Sequence, residues 1–392
     1  MTSPTASGEA GALTELTDQQ PAGHLLSQVA AVLAQMPDPS GGAAADHLEH
    51  ALAETFEVPH AVALSSGTAA LHAALSACDV GPGDEVLVPA LSVVMSVAPL
   101  AALGAVPVFV DSDPSTLDLD YDDAASKVTA RTRAIMPVHL WGRMGDPSAL
   151  TRFATEHALA IVEDAAQAAG TARAGHHAGT VGTAGCFSMK DGKILWSGEG
   201  GFLLTRRREI ADHARAFRSH WLPAPPGQAP FSRLATNTRL AAPLAAIAHA
   251  NLTRFPDLLQ RRRTQTRHLQ QALDQAPGLI PLTPAPQAGD TEREPWAEQW
   301  NGFSPLLHID LPRPRAFAEH LARLAVPNSA GTFGLVACDT RPFARTPPGR
   351  LCRGAAEILE HTLAVILTER DTDTTLQQYA DVIRREATTW AR

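Results

Sequence analysis

The chain has 392 residues, 45% of them apolar and 19% charged, with a formal net charge of −9 at pH 7. That is the make-up of an ordinary soluble globular protein with room for a large domain and a smaller satellite. The acidity argues against a nucleic-acid binder, which needs a basic face, and four scattered cysteines without a CxxC pair suit a reducing cytoplasm and give no zinc framework.

Residues 1–25 read as a polar tail, without the basic and apolar regions of a signal peptide. From about residue 28 to 58 the apolar spacing predicts two helices. Strand-like and helix-like segments then alternate. VAL (62–64) leads into SSGTAALHAALSAC, a helix opening on Ser66-Gly67-Thr68. Residues 86–110 carry no charge, but Pro89, Pro99 and Pro107 break any spanning helix, each at about 3 kcal/mol. The pieces read instead as a buried strand (EVLVPA), a short helix (SVVMSVAPLAALG) and a second strand (VPVFVD), so no membrane association is expected. RAIMPVHLW and LAIVEDAA continue the strands, and GCFSM and GGFLLT predict two more, closely spaced. Short apolar strands separated by helix-length stretches predict an α/β fold with a mainly parallel central sheet flanked by helices. After Arg208 the pattern turns helical, residues 279–295 have the composition of an exposed loop, and the remainder predicts a smaller α+β unit. The expected division is a large domain over 26–255 and a small one over 256–392.

Common site motifs are missing: there is no GxSxG elbow, no GxxxxGK[ST] loop and no HExxH. His176-His177, flanked by glycines, predicts a hairpin turn and not a metal site. Four other stretches carry chemistry. Ser66-Gly67-Thr68 could cap a helix or cradle a phosphate at its positive end. Asp164, ending the strand IVED, could cap a following helix or meet a ligand at the carboxyl edge of the sheet. Ser188 and Lys193 sit five residues apart ahead of a Gly-Glu-Gly-Gly turn. The chain has only three lysines, Lys127, Lys190 and Lys193, so two of them fall in this stretch. A lysine in a partly buried pocket becomes a nucleophilic amine, which arginine cannot. Asn237, ahead of an alanine-rich helix, could cap it or reach a ligand. A phosphate cradle, a carboxylate and a reactive amine are what pyridoxal 5′-phosphate (PLP) requires: the lysine to hold its aldehyde, the carboxylate to keep its ring nitrogen protonated.

These motifs resemble those of the DegT/DnrJ/EryC1/StrS aminotransferases, fold-type I PLP enzymes acting mostly on keto sugars and keto cyclitols. VALSSGTAALHAAL (62–75), GPGDEVLVPALS (81–92), GAVPVFVDSDPSTLDLD (104–120), AIMPVHLWG (134–142), IVEDAAQAAG (161–170), CFSMKDGKILWSGEGG (186–201) and TNTRLAAPLAAI (236–247) match in order and spacing. The resemblance implies Lys193 as the Schiff-base lysine and proton shuttle, with Asp164 against the pyridine nitrogen. It implies Gln167 beside the phenolic oxygen, and Gly67, Thr68 and Ser188 around the phosphate. Asn237 would reach the phosphate from a neighbouring subunit, so a homodimer with shared active sites is implied. Lys190 falls at a variable position and is expected at the rim. Val93 stands where the family usually stacks an aromatic residue on the ring; a valine can pack there but forgoes about 0.5–1.5 kcal/mol of stacking. Residues 331–345 lack the tyrosine-rich text of sugar-binding members. The implied function is amino transfer from glutamate or glutamine to a keto sugar or cyclitol, as in antibiotic-type biosynthesis. The alternatives are a dehydratase or ring-aromatising enzyme on this scaffold, or a catalytically degenerate partner subunit. Lys193 counts against the dehydratase, whose deoxysugar type carries histidine there.

Overall fold

A computed structural model describes residues 20–36, 42–282, 300–329, 336–338 and 352–391. Two helices come first, α1 (Gln20–Ala34) and α2 (Ala43–Thr55), so helix begins inside the stretch expected to be tail. Strands and helices then alternate: β1 (His60–Leu64), α3 (Gly67–Ala77), β2 (Glu85–Pro89), β3 (Leu91–Ser92), α4 (Val94–Leu103) and β4 (Val106–Val110). The uncharged stretch 86–110 is thus divided among β2, β3, α4 and β4. No described helix is long and apolar enough to cross a membrane. The chain continues through α5 (Tyr121–Lys127), β5 (Thr132–Ile135), α6 (Pro147–Glu156) and β6 (Ala160–Asp164). A small hairpin, β7 (Ala172–Arg173) and β8 (His176–His177), follows, then β9 (Ala184–Ser188) and β10 (Gly201–Thr205). His176 and His177 lie in that hairpin, and no metal-binding cluster occurs among the described residues.

Seven strands form the central sheet in the order β1-β10-β9-β6-β5-β2-β4. The run from β9 to β4 is parallel throughout, and β10 runs antiparallel to both its neighbours, β9 and β1. The strands read as unbroken apolar runs because helices cover both faces. Alternation along each strand sends side chains to opposite layers: Val62, Leu64 and Leu203 join one buried cluster, Ala61, Ala63, Phe202 and Leu204 the other.

The central strand β6 carries a charge into this core. Glu163 is fully buried and accepts N–H bonds from Gly179, Val181 and Gly182, each at 2.8 Å. His139 Nε2 lies 2.9 Å from the same carboxylate. One side chain therefore ties the loop after β8 to the middle of the sheet. Glu163→Ala would leave three buried donors without an acceptor, at about 1–3 kcal/mol each before relaxation. Denaturant unfolding is expected to show a loss of about 3–5 kcal/mol, with Glu163→Gln intermediate.

Beyond β10 come α7 (Arg208–Phe217), α8 (Ala242–Thr253) and α9 (Phe255–Ala272). A three-stranded antiparallel sheet follows, in the order β11 (Leu279–Pro281), β12 (Leu306–Ile309) and β14 (Thr362–Ala364). The segment expected as a loop from residue 279 therefore opens with a strand, and residues 283–295 of it lie outside the described residues. Helices α10 (Pro314–Arg323), α11 (Arg353–His361) and α12 (Asp373–Trp390) accompany this sheet; Leu307, Ile309, Phe317, Leu363 and Ile383 belong to its separate core. One strand returns to the large unit: β13 (Val336–Ala337) pairs with β3 in a separate two-stranded antiparallel sheet, and Cys338 N–H donates to Ala90 O at 2.8 Å. The rest of the stretch 331–345 lies outside the described residues.

Candidate active site

The motifs converge at the end of β1. Ser65 N–H donates to Thr238 O (2.8 Å), and the extended Ser66 caps α3 by accepting the Ala69 N–H at 3.0 Å. The capping role thus falls to Ser66. Among the described residues the N–H groups of Gly67 and Thr68 then have no acceptor, at the positive end of an eleven-residue helix. Two glycines make this approach possible. A Cβ on Gly67 would sit 3.0 Å from Ser188 Cβ, and one on Gly201 would sit 2.3 Å from the Ser66 carbonyl carbon. Since Ser188 pairs with Gly201 across β9 and β10, the Ser-Gly-Thr motif, Ser188 and the glycine turn meet at one place.

The segment between β9 and β10 folds back on itself. Met189 N–H donates to Gly200 O (2.8 Å), Ser197 N–H to Met189 O (2.7 Å) and Asp191 N–H to Gly198 O (3.1 Å). Lys190 is exposed on this segment. Lys193 keeps part of its surface open, but its amine lies within the protein, 5.2 Å from the Phe303 ring centroid. Burial lowers its pKa to about 8; nearby Asp164 opposes that shift and Lys190 adds to it. The third lysine, Lys127, is occupied elsewhere, paired to Asp123 at 2.5 Å and donating to Phe109 O at 2.7 Å.

Asp164 ends β6 and is buried. No helix follows it, so it caps none. Its Oδ2 accepts the Ser96 hydroxyl at 2.6 Å and its Oδ1 the Ala166 N–H at 3.1 Å; it makes no salt bridge among the described residues. Ser96, fully buried on α4, was not singled out by the sequence; its only signal was a hydroxyl inside the apolar run VVMSVAPL. Gln167 Oε1 accepts the Trp141 N–H at 2.6 Å. Asn301, also unanticipated, fixes the same turn by donating to Gln167 O and Ala169 O at 2.8 and 3.0 Å. Val93 is half-buried between β3 and α4. Asn237 stands apart. Its side chain is exposed and bonds to none of the other site residues within the chain, and α8 takes Ala241 as its cap instead.

These groups fit PLP. The free N–H pair at Gly67 and Thr68, with the Ser188 hydroxyl against it, suits a phosphate. A buried carboxylate with no cationic partner of its own suits a protonated ring nitrogen. The amine of Lys193 suits an aldehyde.

The DegT/DnrJ/EryC1/StrS aminotransferase family model matches residues 24–329. Among curated relatives, an L-glutamine:2-deoxy-scyllo-inosose aminotransferase of Streptomyces lividus is 49% identical over 42% of the chain and 40% of its own length. A protein of the same name from Streptomyces fradiae is 40% identical over 62% of the chain and 59% of its own length. The matched regions thus span between about two fifths and three fifths of these relatives. The crystal structure of an aminotransferase, TlmJ, from Streptoalloteichus hindustanus superposes with a TM-score of 0.80 at 28% identity, covering 93% of the chain and 96% of that protein.

Proposed function

Because the chain belongs to the DegT/DnrJ/EryC1/StrS aminotransferase family, we propose that it is a PLP-dependent enzyme moving an amino group from glutamate or glutamine to a ketone on a sugar or cyclitol. The observation that carries this reading is the enclosed amine of Lys193, its pKa brought to about 8 by burial, within electrostatic reach of the buried carboxylate of Asp164, which makes no salt bridge among the described residues. The names of the Streptomyces relatives favour a cyclitol ketone and glutamine as donor.

When bound, PLP supplies an aldehyde that captures amines and a ring that accepts an electron pair from the carbon losing its proton. The chain does the rest. The Gly67 and Thr68 N–H groups and the Ser188 hydroxyl would hold the phosphate, and Gln167 would stand beside the phenolic oxygen. Asp164, oriented by Ser96, keeps a proton on the ring nitrogen. Lys193 Nζ, neutral above about pH 8, takes the proton from the substrate carbon and returns it. Val93 would pack against the ring without aromatic stacking. Asn237 reaches the phosphate of a second subunit, so the working unit is a homodimer; the exposed Leu234 and Phe231 just ahead of it supply apolar surface for that contact. The single chain supports the reading by leaving this residue's side chain free. The enzyme would work in the cytoplasm.

The test is a matrix of amino donors against keto sugars and keto cyclitols, following the visible absorbance of bound PLP. Bleaching by glutamate or glutamine, and recovery with a cyclitol or sugar ketone, is the expected result. A protein that takes up no PLP, or that bleaches with no donor, sinks the proposal.

A further inference from the structure

The amine of Lys193 has an aromatic neighbour where an oxygen would be ordinary. Among the described residues its Nζ donates no hydrogen bond, and the group in front of it is the Phe303 ring, 5.2 Å away at the centroid. That is within the distance over which the negative face of an aromatic ring attracts an ammonium, and the attraction strengthens where water is excluded. Phe303 is only 5% exposed, so the contact lies in such a place.

A distant segment of the chain delivers this ring and holds it firmly. The Phe303 N–H donates to Asn301 Oδ1 at 2.9 Å, and its carbonyl accepts from Arg262 at 3.3 Å. Asn301 is fully buried and is itself tied to the turn after β6, while Gly302 O accepts the Thr266 hydroxyl of α9 at 3.0 Å. Gly142 leaves room for the approach: a Cβ there would lie 2.7 Å from Phe303 Cβ. The turn after β6, α9 and the backbone at Gly142 thus fix the base from which the ring reaches Lys193.

The charges around the amine say when the contact matters. Asp164, at the end of β6, favours the ammonium, and Lys190 on Lys193's own segment opposes it. Asp191, Arg262 of α9, and Glu369 and Arg370 beyond β14 border a cavity of about 340 Å³ that Lys193 also borders. Glu369 is already paired with Arg254 at 3.5 Å. Asp164 is therefore the charge that holds a proton on Lys193, and on the proposed function it is committed to the cofactor's ring nitrogen. A proton that Lys193 takes from the substrate then needs another stabilising group, and an uncharged ring face can supply it without competing for the cofactor.

We infer that Phe303 is a positioning residue for Lys193: its ring face holds the amine in place and stabilises the ammonium that forms when Lys193 takes the proton from the substrate carbon. The inference rests on the proposed function for the moment at which that ammonium forms, but not for the contact itself.

The test reads Lys193 in cofactor-free protein, as the pH midpoint of amine-directed labelling. Phe303 is replaced by 4-fluorophenylalanine and by 3,4,5-trifluorophenylalanine, which weaken the negative face stepwise and nearly keep its shape. The midpoint is expected to fall with each step, by about 0.5–1 pH unit for the trifluoro ring, because the ammonium loses its stabilisation. Phe303→Tyr keeps the face and should stay within about 0.3 units of the parent. A midpoint that is unmoved or rises along the fluorinated series overturns the inference, as does a Phe303→Tyr midpoint as low as that of the trifluoro ring. A ring that only excluded water would give no trend in the series and a rise in Phe303→Leu, where water enters and the burial penalty weakens. In the holoenzyme the trifluoro ring should lower kcat for an accepted donor by about 3–10-fold and leave KM within about twofold. A rise in KM alone would make Phe303 a substrate contact and overturns the assigned role. Should no donor turn over at all, the proposed function fails while the labelling still decides the contact.

Discussion

Replacing Lys193 by alanine is expected to reduce transamination by about 10⁴-fold or more, the upper end of what a positioned general acid–base contributes, because the same nitrogen also engages the cofactor. Borohydride treatment of the holoenzyme should fix the cofactor on the peptide containing Lys193 and leave Lys190 and Lys127 unmodified. A label on Lys190, or activity retained in Lys193→Ala, refutes the assignment. The fold itself should survive. The folded-state pKa of Lys193 lies near 8, below the ordinary 10.5, so burial penalises the charged amine in full below about pH 8 and ceases to do so above 10.5. Stability attributable to this residue therefore rises with pH across that window. At pH 7 the cofactor-free Lys193→Ala protein is expected to melt no lower than the parent, and a large drop would mean that the side chain is structural.

Asp164→Asn keeps the shape and the Ser96 hydrogen bond but removes the charge. Loss of a preorganised electrostatic partner at the ring nitrogen is expected to lower kcat by about 10²–10³-fold. A structural role would produce no further signature, whereas the proposed role does. Asp164 is the group that holds the pKa of Lys193 up against burial. Without the carboxylate, the pH midpoint for amine-directed labelling of Lys193 in cofactor-free protein should move below about 8. Labelling rises with pH in both proteins, since only the neutral amine reacts. An unmoved midpoint, with kcat within a few-fold of the parent, counts against this placement of Asp164.

The parts of the site that could be read from sequence are those whose chemistry is local. Ser66-Gly67-Thr68 sits at a strand-to-helix junction, and Ser188, Lys193 and the glycine turn occupy one short connection, so spacing alone relates them. The parallel sheet was legible for a similar reason, since strands buried on both faces appear as apolar runs between helix-length intervals. Ser96, Asn301 and the His139–Glu163 pair were not legible. Each is a single polar residue in an ordinary helix, strand end or loop, and its partner comes from a distant part of the chain. Asn301 and Gln167, for instance, meet only because the turn after β6 packs on the segment leading into β12. The strand β11 was hidden by the prolines around it and by the polar composition of residues 285–295. Asn237 was legible as a residue able to bond a ligand, but nothing local says that its side chain would face outward.

The direction of β10 has a consequence for how the protein is made. Five neighbouring strands of the central sheet, β9 to β4, can assemble from segments that follow each other closely in the chain. Strand β1 cannot join them, because its only partner in the sheet is β10, in a register pairing His60 with Thr205. During synthesis β1 and the start of α3 must wait for that partner, with an unpaired edge in the meantime. The junction of Ser66-Gly67-Thr68 with Ser188 and Gly201 is therefore among the last features to form, a closure contact of high sequence separation. On the proposed function, cofactor capture would report that the ribosome has passed residue 205 and that the sheet has closed, and a nascent chain arrested before Gly201 would carry Gly67 and Ser188 apart.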